Sequence, residues 1–323
     1  MPFDDTFLNT VSRGRFLRVV KNNLYNSSPL WHKVFEGGNA QEAAGTQLEW
    51  GVVLVKHGSV GVFDPYDTFA IQPINPVRKA ILQPARYYAG LSISGSEERR
   101  NTGSEEKLLD ALKLQFDNAM STLKELLYTA TYGDGTPVNG KQTLQGLRAA
   151  VNNTGTYANI SRADYPNWQA NVDSTAYSTA NLKDPTLSSY LPSLMRTMFT
   201  AATHDHAPSL LIGTKKIYNL YQDIVGVQNL RVDQKTAEAG FANVQFQTAT
   251  FVFDDFCPAG YLYFLAPEDW GIFTYPGANF DMPPEGWQRP PTQDVKTTQI
   301  LWEGQIRLDS PWHQAVLTNL ANT

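Results

Sequence analysis

Residues 85 to 133 read ARYYAGLSISGSEERRNTGSEEKLLDALKLQFDNAMSTLKELLYTATYG, and a change of rhythm inside this stretch decides the fold. Up to Gly95 the residues alternate as a half-buried strand does. After it, Leu109, Leu112, Phe116, Ala119, Met120, Leu123, Leu126, Leu127 and Ala130 recur at spacings of three and four, which places them on one face of an α-helix. Thr102 and Glu105 stand three apart as a capping box would, and Gly133-Asp134-Gly135 ends the pattern. At 1.5 Å per residue the helix is roughly 40 Å long. With one apolar stripe and one wet face, it is expected to lie across a sheet as a strut.

Upstream, WGVVLVKHGSVGVF (50–63) is β-rich, FDPYD (63–67) turns, and FAIQPINPVRKAIL (69–82) is interrupted by Pro73 and Pro76, with Pro84 just beyond. Prolines at that density do not suit a central strand. A two-stranded ribbon over residues 50 to 100 fits better, and such a ribbon is marginal by itself, so something outside it must cover it. Residues 1 to 49 form an arm with short helical pieces. From residue 1 to 33, Arg13, Arg15, Arg18, Lys21 and Lys33 stand against Asp4 and Asp5. By itself that is a solvated basic helix face.

Downstream, residues 136 to 185 are polar and loop-rich. Leu187, Leu191, Leu194, Met198 and Ala201 predict a helix with Pro192 in its first turn; PSLLIG (208–213) reads as a buried strand, and Thr214 as the cap of a helix carrying Ile217, Tyr218, Leu220 and Tyr221. Strands follow at NVQFQTATFVF (243–253), YLYFLA (261–266) and WGIFTY (270–275). In QILWEGQIRL (299–308), Ile300, Trp302, Ile306 and Leu308 alternate with Gln299, Glu303, Gln305 and Arg307, the pattern of a half-buried strand. Helix, strand and helix followed by a run of strands predicts an α+β class.

The 323 residues suffice for one large domain or two that share elements, and 23 glycines, 19 prolines and 12% aromatic residues describe a turn-rich, folded chain. A net charge of −5 argues against a surface basic throughout. The charge is polarised: between 233 and 285, eight acids face Lys235 alone. The single cysteine, Cys257, excludes a disulfide framework and a multi-cysteine zinc site within one chain. No run approaches 18 apolar residues, and the first 25 residues carry charges where a signal peptide needs apolar ones, so neither a membrane span nor that export route is expected.

Catalytic signals are thin. His204-Asp205-His206 reads as a solvated helix end, and would hold a metal only if another ligand approached from elsewhere. Asp254-Asp255 and Glu268-Asp269 read as turn acids rather than acid-base pairs. Cys257, beside two acids, is not expected to be a reactive thiolate. GDGTPVNG (133–140) has neither the Walker nor the dinucleotide-loop arrangement and reads as a turn. No catalytic residue, cofactor site or metal site is assigned, and the chain is not expected to be an enzyme. The alternative of a metal-dependent hydrolase rests on His204, Asp205 and His206.

The order of arm, proline-punctuated ribbon, long strut, loop-rich α+β segment and late half-buried strand resembles the major capsid proteins of tailed double-stranded DNA phages, with the Hong Kong 97-like fold. ARYYAGLSISGSEERRNTG (85–103) is similar to the family's junction between extended loop and spine helix. GLRAAVNNTGTYANISRADYPNWQANV (146–172), with Ile160, Arg162 and Trp168, resembles its Gly-Ile-x-Arg segment and aromatic step, and NNLYNSSPLWHKVF (22–35) its N-terminal arm. The resemblance implies an arm over 1–49, an extended loop over 50–101, a peripheral domain from 102–148 and 288–323, and an axial domain over 149–287. The spine-helix core would be Leu109, Leu112, Phe116, Leu123 and Leu127.

It further implies self-assembly of pentamers and hexamers into an icosahedral shell around packaged double-stranded DNA, in a virion assembled in the host cytoplasm. Partners would include a portal, a separate scaffolding protein, since no long N-terminal extension is present, and in some members a decoration protein. Arg13, Arg15, Arg18 and Lys21 would then face the interior, toward DNA or scaffold. Lys56 and Lys79 are the ribbon lysines, but no matching Asn and Glu are identified for the covalent link some members form. The alternative within the same fold is an encapsulin-like nanocompartment shell.

Overall fold

The structure, a computed structural model, describes residues 28–35, 40–55, 58–69, 76–96, 105–226 and 243–321. Arg13, Arg15, Arg18, Lys21, Lys56 and Thr102 lie outside the described residues, as does the side chain of Leu109.

In chain order the elements are α1 (Pro29–Phe35), β1 (Ala40–Glu42), β2 (Leu48–Val53), β3 (Val77–Leu82), β4 (Ala85–Ser94), α2 (Glu105–Thr131) and α3 (Leu147–Ala150). There follow β5 (Thr156–Tyr157), β6 (Ile160–Ser161), β7 (Asn171–Asp173), α4 (Thr179–Lys183), α5 (Leu191–Ala202), β8 (Leu210–Gly213) and α6 (Lys215–Val225). The chain ends with β9 (Asn243–Phe246), β10 (Ala249–Phe253), β11 (Leu262–Leu265), β12 (Trp270–Asp281), β13 (Val295–Leu308) and β14 (Ala315–Leu317).

Two sheets carry the body. A four-stranded sheet runs in the order β1-β12-β13-β4, and a six-stranded sheet in the order β7-β14-β11-β8-β10-β9. The strut α2 packs on β4 and buries Leu112, Phe116, Met120, Leu123 and Leu127, steps of four, four, three and four. Leu126, placed on the stripe by the sequence, stands 49% exposed at its rim. Its last turns also meet α1, where Trp31 packs on Tyr128 and donates to Thr131. Just past the strut, Gly146 lies so close to its last turn that a side chain there would run into the carbonyls of Thr131 and Ala130.

The six-stranded sheet is apolar on both faces. Leu210, Ile212, Tyr263 and Leu265 face the strut-side core, while Leu211, Phe251, Leu262 and Phe264 face a second core built with α5 and α6. That two-sided burial explains why PSLLIG and YLYFLA are continuous apolar runs rather than alternating ones.

Several expectations are corrected. The extended stretch is not one ribbon: β2 pairs antiparallel with β3, from Leu48↔Leu82 to Val53↔Val77, but β4 leaves it and pairs with β13 over ten residues, from Ala85↔Gly304 to Ser94↔Val295. NVQFQTATFVF is a hairpin of β9 and β10, turned at Gln247 with φ of 52°. Thr214 occupies the N-cap position of α6, but its hydroxyl accepts no capping bond. Gln305, expected on the wet side of β13, is 1% exposed; its amide nitrogen donates to Gln83 O at 3.0 Å, and its oxygen accepts from Gln145 N at 2.9 Å. Pro276 lies in β12 where the register with β13 shifts, a place where a missing N–H costs little.

Candidate assembly surfaces and buried polar clusters

Among the described residues, the loop that ends the ribbon β2–β3 buries almost nothing. Val60, Val62, Phe63, Tyr66 and Phe69 are exposed by 61% or more, and Val53 and Val77 at the neck are also open. The loop has local order: Asp67 Oδ2 accepts from Asp64 N at 2.8 Å, Asp64 O accepts from Asp67 N at 2.9 Å, and Phe63 and Phe69 meet edge to face at 5.2 Å. Five large apolar side chains within ten residues form an exposed patch of the kind that marks an interaction site. Burying each would contribute roughly 1.5–3 kcal/mol.

The base of the ribbon is fixed to the body. Ile81 N donates to Ala158 O at 2.9 Å, Asn167 Nδ2 donates to Leu54 O at 3.2 Å, and the Arg78 guanidinium lies 5.8 Å from the centre of the Tyr165 ring. Lys79 pairs with Glu49 across the two strands. The platform under this base, residues 146–168, is built around Arg162, which is 2% exposed. Its Nη2 donates to Ala149 O at 2.6 Å and Ala150 O at 2.8 Å, and its Nη1 to Thr154 O at 2.9 Å. The first two are carbonyls left open where α3 ends, and the third lies in the loop beyond it. Burial pushes the guanidinium down to about 10, while the neighbouring Tyr157 phenol is pushed up by burial. Trp168, fully buried, donates from Nε1 to Tyr157 O at 3.1 Å. The residues quoted for the Gly-Ile-x-Arg segment and its aromatic step therefore form one bonded unit, which carries the ribbon.

The described part of the expected arm docks into its own chain. Leu30, Trp31 and Val34 of α1 are buried, and Trp31 Nε1 donates to Thr131 Oγ1 at 3.2 Å. Asp254 is not a solvated turn acid. At 3% exposure its Oδ2 accepts from Ser28 Oγ at 2.8 Å and Tyr132 OH at 2.9 Å, and its Oδ1 from Phe256 N at 3.0 Å. Burial, reinforced by the charge of Asp254, holds the Tyr132 phenol well above its ordinary range. Cys257 is buried beside this cluster, and desolvation with the same charge pushes its thiol up, in line with the expectation of an unreactive sulfur.

His204, Asp205 and His206 do not converge as a trio. His204 stacks on Trp312 with ring centres 4.9 Å apart, and Asp205 is exposed. His206 instead meets Asp269 and His313, and Asp269, expected in solvent, is 8% exposed. Sequence reading missed His313 because 107 positions separate it from His206. Among the described residues no helix is long and apolar enough to cross a membrane.

No family model and no curated protein matches the sequence. Solved structures do match. A capsid chain of cyanophage A-1(L) aligns at a TM-score of 0.66 and 16% identity, covering 90% of this chain and 92% of its own. A capsid chain of phage XM1, a myovirus, aligns at 0.55 and 10% identity over 91% and 92% of the two chains, and one from a native GTA particle at 0.56 and 10% over 87% and 88%. The chain has the Hong Kong 97-like capsid fold. α2 is its long helix, with Leu112, Phe116, Leu123 and Leu127 buried along one face. The two-stranded ribbon is β2–β3 alone, because β4 pairs with β13 in the four-stranded sheet.

Proposed function

We propose that this chain is the major capsid protein of a tailed double-stranded DNA phage, a structural subunit that assembles with its own copies into an icosahedral shell. The observation that carries the reading is a likeness to capsid chains that spans about nine-tenths of both partners. The exposed ribbon supports it. A two-stranded projection with apolar residues at its tip gains burial only on another molecule, and contacts of that kind between identical subunits close into rings and shells.

In this reading β2–β3 is the extended loop lying on a neighbour. The peripheral domain comprises residues 102–148 and 288–323 with β4, and residues 149–287 form the axial domain at the five-fold and six-fold centres. Residues 1–27 would carry Arg13, Arg15, Arg18 and Lys21 along the interior face, toward packaged DNA or a separate scaffolding protein. A portal and a decoration protein are further partners of the same assembly, and the mature location is the virion.

Negative-stain electron microscopy of the expressed chain, alone and with a scaffold, tests this. Closed particles whose absorbance ratio reports nucleic acid after packaging are expected. Particles that enclose a co-purifying enzyme and no nucleic acid would favour a nanocompartment shell, and a monomer under all assembly conditions would count against a shell of either kind.

A further inference from the structure

Three segments far apart in the chain meet at one carboxylate oxygen. His206 lies in the turn after α5, Asp269 in the 3-10 turn Pro267–Asp269 before β12, and His313 in the 3-10 turn Pro311–His313 before β14. Oδ2 of Asp269 stands 3.2 Å from His206 Nε2 and 2.8 Å from His313 Nδ1, and the ligand atoms of all three residues lie within 4.8 Å of one another. It is the one such convergence of His, Cys, Asp or Glu ligands among the described residues.

We propose that His206, Asp269 and His313 bind one divalent transition-metal ion of the zinc class. Two imidazole nitrogens and a carboxylate are a donor set suited to zinc, and three protein ligands leave the fourth tetrahedral position to water. In a tetrahedron with bonds near 2.0 Å, ligand atoms sit roughly 3.3 Å apart; the Asp269 oxygen, 3.2 and 2.8 Å from the two nitrogens, is within about half an ångström of that spacing, and the nitrogens, no more than 4.8 Å apart, must adjust to it as well. The ion takes the place of the two ring N–H protons directed at Asp269, and each neutral imidazole carries its proton on the opposite nitrogen.

The surroundings hold the carboxylate in place, whereas the Nε2 of His313, opposite its ligating nitrogen, is buried with no hydrogen-bond partner. Gln314 Nε2 donates to Asp269 Oδ2 at 3.0 Å, and Gln314 is itself pinned through its Oε1, which accepts from Ala266 N at 2.9 Å and Trp270 Nε1 at 3.1 Å. The His206 and His313 rings pack edge to face at 4.0 Å. Negative charge is in surplus close by. Asp309 N donates to Asp269 O at 2.9 Å, and the Oδ1 of Asp309 is buried with no hydrogen-bond partner although its Oδ2 lies 3.2 Å from Arg307. Among the ligands, Asp269 and His313 are buried while His206 is 31% exposed at its side chain, which gives the ion a way in. A bound ion would clasp the turn after α5 to the 3-10 turns before β12 and β14, independently of whether the chain forms a shell.

The test uses the full chain, stripped with a chelator, dialysed, and titrated with zinc against a chromophoric competitor, with metal content measured by mass spectrometry and cobalt as a spectroscopic substitute. One ion per chain and a tetrahedral cobalt spectrum are expected. Since changing even the residues behind metal ligands costs 10–100-fold in affinity, His206→Asn should bind at least about 100-fold more weakly. His206 is partly exposed, so that variant should fold, which circular dichroism checks. His204→Asn, outside the cluster, should bind as the parent does. Absence of stoichiometric zinc in the parent, or equal binding by parent and His206→Asn, would overturn the site and leave a carboxylate hydrogen-bonded to two imidazoles.

Discussion

Replacing Arg162 with methionine keeps most of the side-chain volume and removes the guanidinium donors from the platform under the ribbon. Three backbone carbonyls, those of Ala149, Ala150 and Thr154, then lose their partner. An unsatisfied buried acceptor costs about 1–3 kcal/mol, so the loss is about 3–9 kcal/mol before relaxation. Against this, the methionine escapes the desolvation that pushes the guanidinium down to about 10, which is worth about 3 kcal/mol. The difference is a destabilisation on the order of 3 kcal/mol. Urea unfolding of the unassembled subunit measures it, and Arg162→Lys should recover only part, because one ammonium cannot span three carbonyls as the guanidinium fork does. The loss should also travel to the ribbon. Ile81 N is bonded to Ala158 O, inside the segment Arg162 braces, so its amide exchange should accelerate more than that of β13. A methionine variant more stable than the parent would overturn this, since the lost carbonyl partners would then cost less than the relief of desolvation, as when water replaces the arginine.

The remaining predictions concern the strut, the ribbon and the thiol. Leu123→Asp places a charge at a position 2% exposed and should cost several kcal/mol, read as loss of soluble subunit while Leu126→Asp on the rim is tolerated. Replacing residues 58–69 with a short Gly-Ser turn should leave a folded subunit, by circular dichroism and thermal melt, that forms no particles in electron microscopy. Cys257 should stay unlabelled by a thiol reagent at pH 8 in the folded chain and label fully after denaturation, because burial and the charge of Asp254 both oppose the thiolate.

Local pattern carried the sequence reading a long way. The strut's stripe, the continuous apolar strands at 208–213 and 261–266, and the alternation of Ile300, Trp302, Ile306 and Leu308 all rest on periodicity, which neighbours in the chain determine. The errors fall where distant partners decide. The extended run 85–94 reads the same whether it pairs within a ribbon or with β13, and only its ladder with residues 295–304 distinguishes the two. The turn at Gln247 lacks the Gly or Asn that signals a hairpin. Asp254 and Asp269 look like turn acids because their donors, Tyr132, Ser28, His313 and Gln314, come from elsewhere in the chain. The His206 cluster was half visible: a metal reading of 204–206 needed an outside ligand, and the outside ligands replaced His204 and Asp205 rather than joining them.

The most direct measurement is a cryo-electron microscopy map of the particle assembled from the full-length chain, traced through residues 48–82. The account predicts that Val60, Val62, Phe63, Tyr66 and Phe69 lie against an adjacent subunit. A particle in which that ribbon stands in solvent or folds onto its own subunit would contradict it, as would a chain that forms no particle at all.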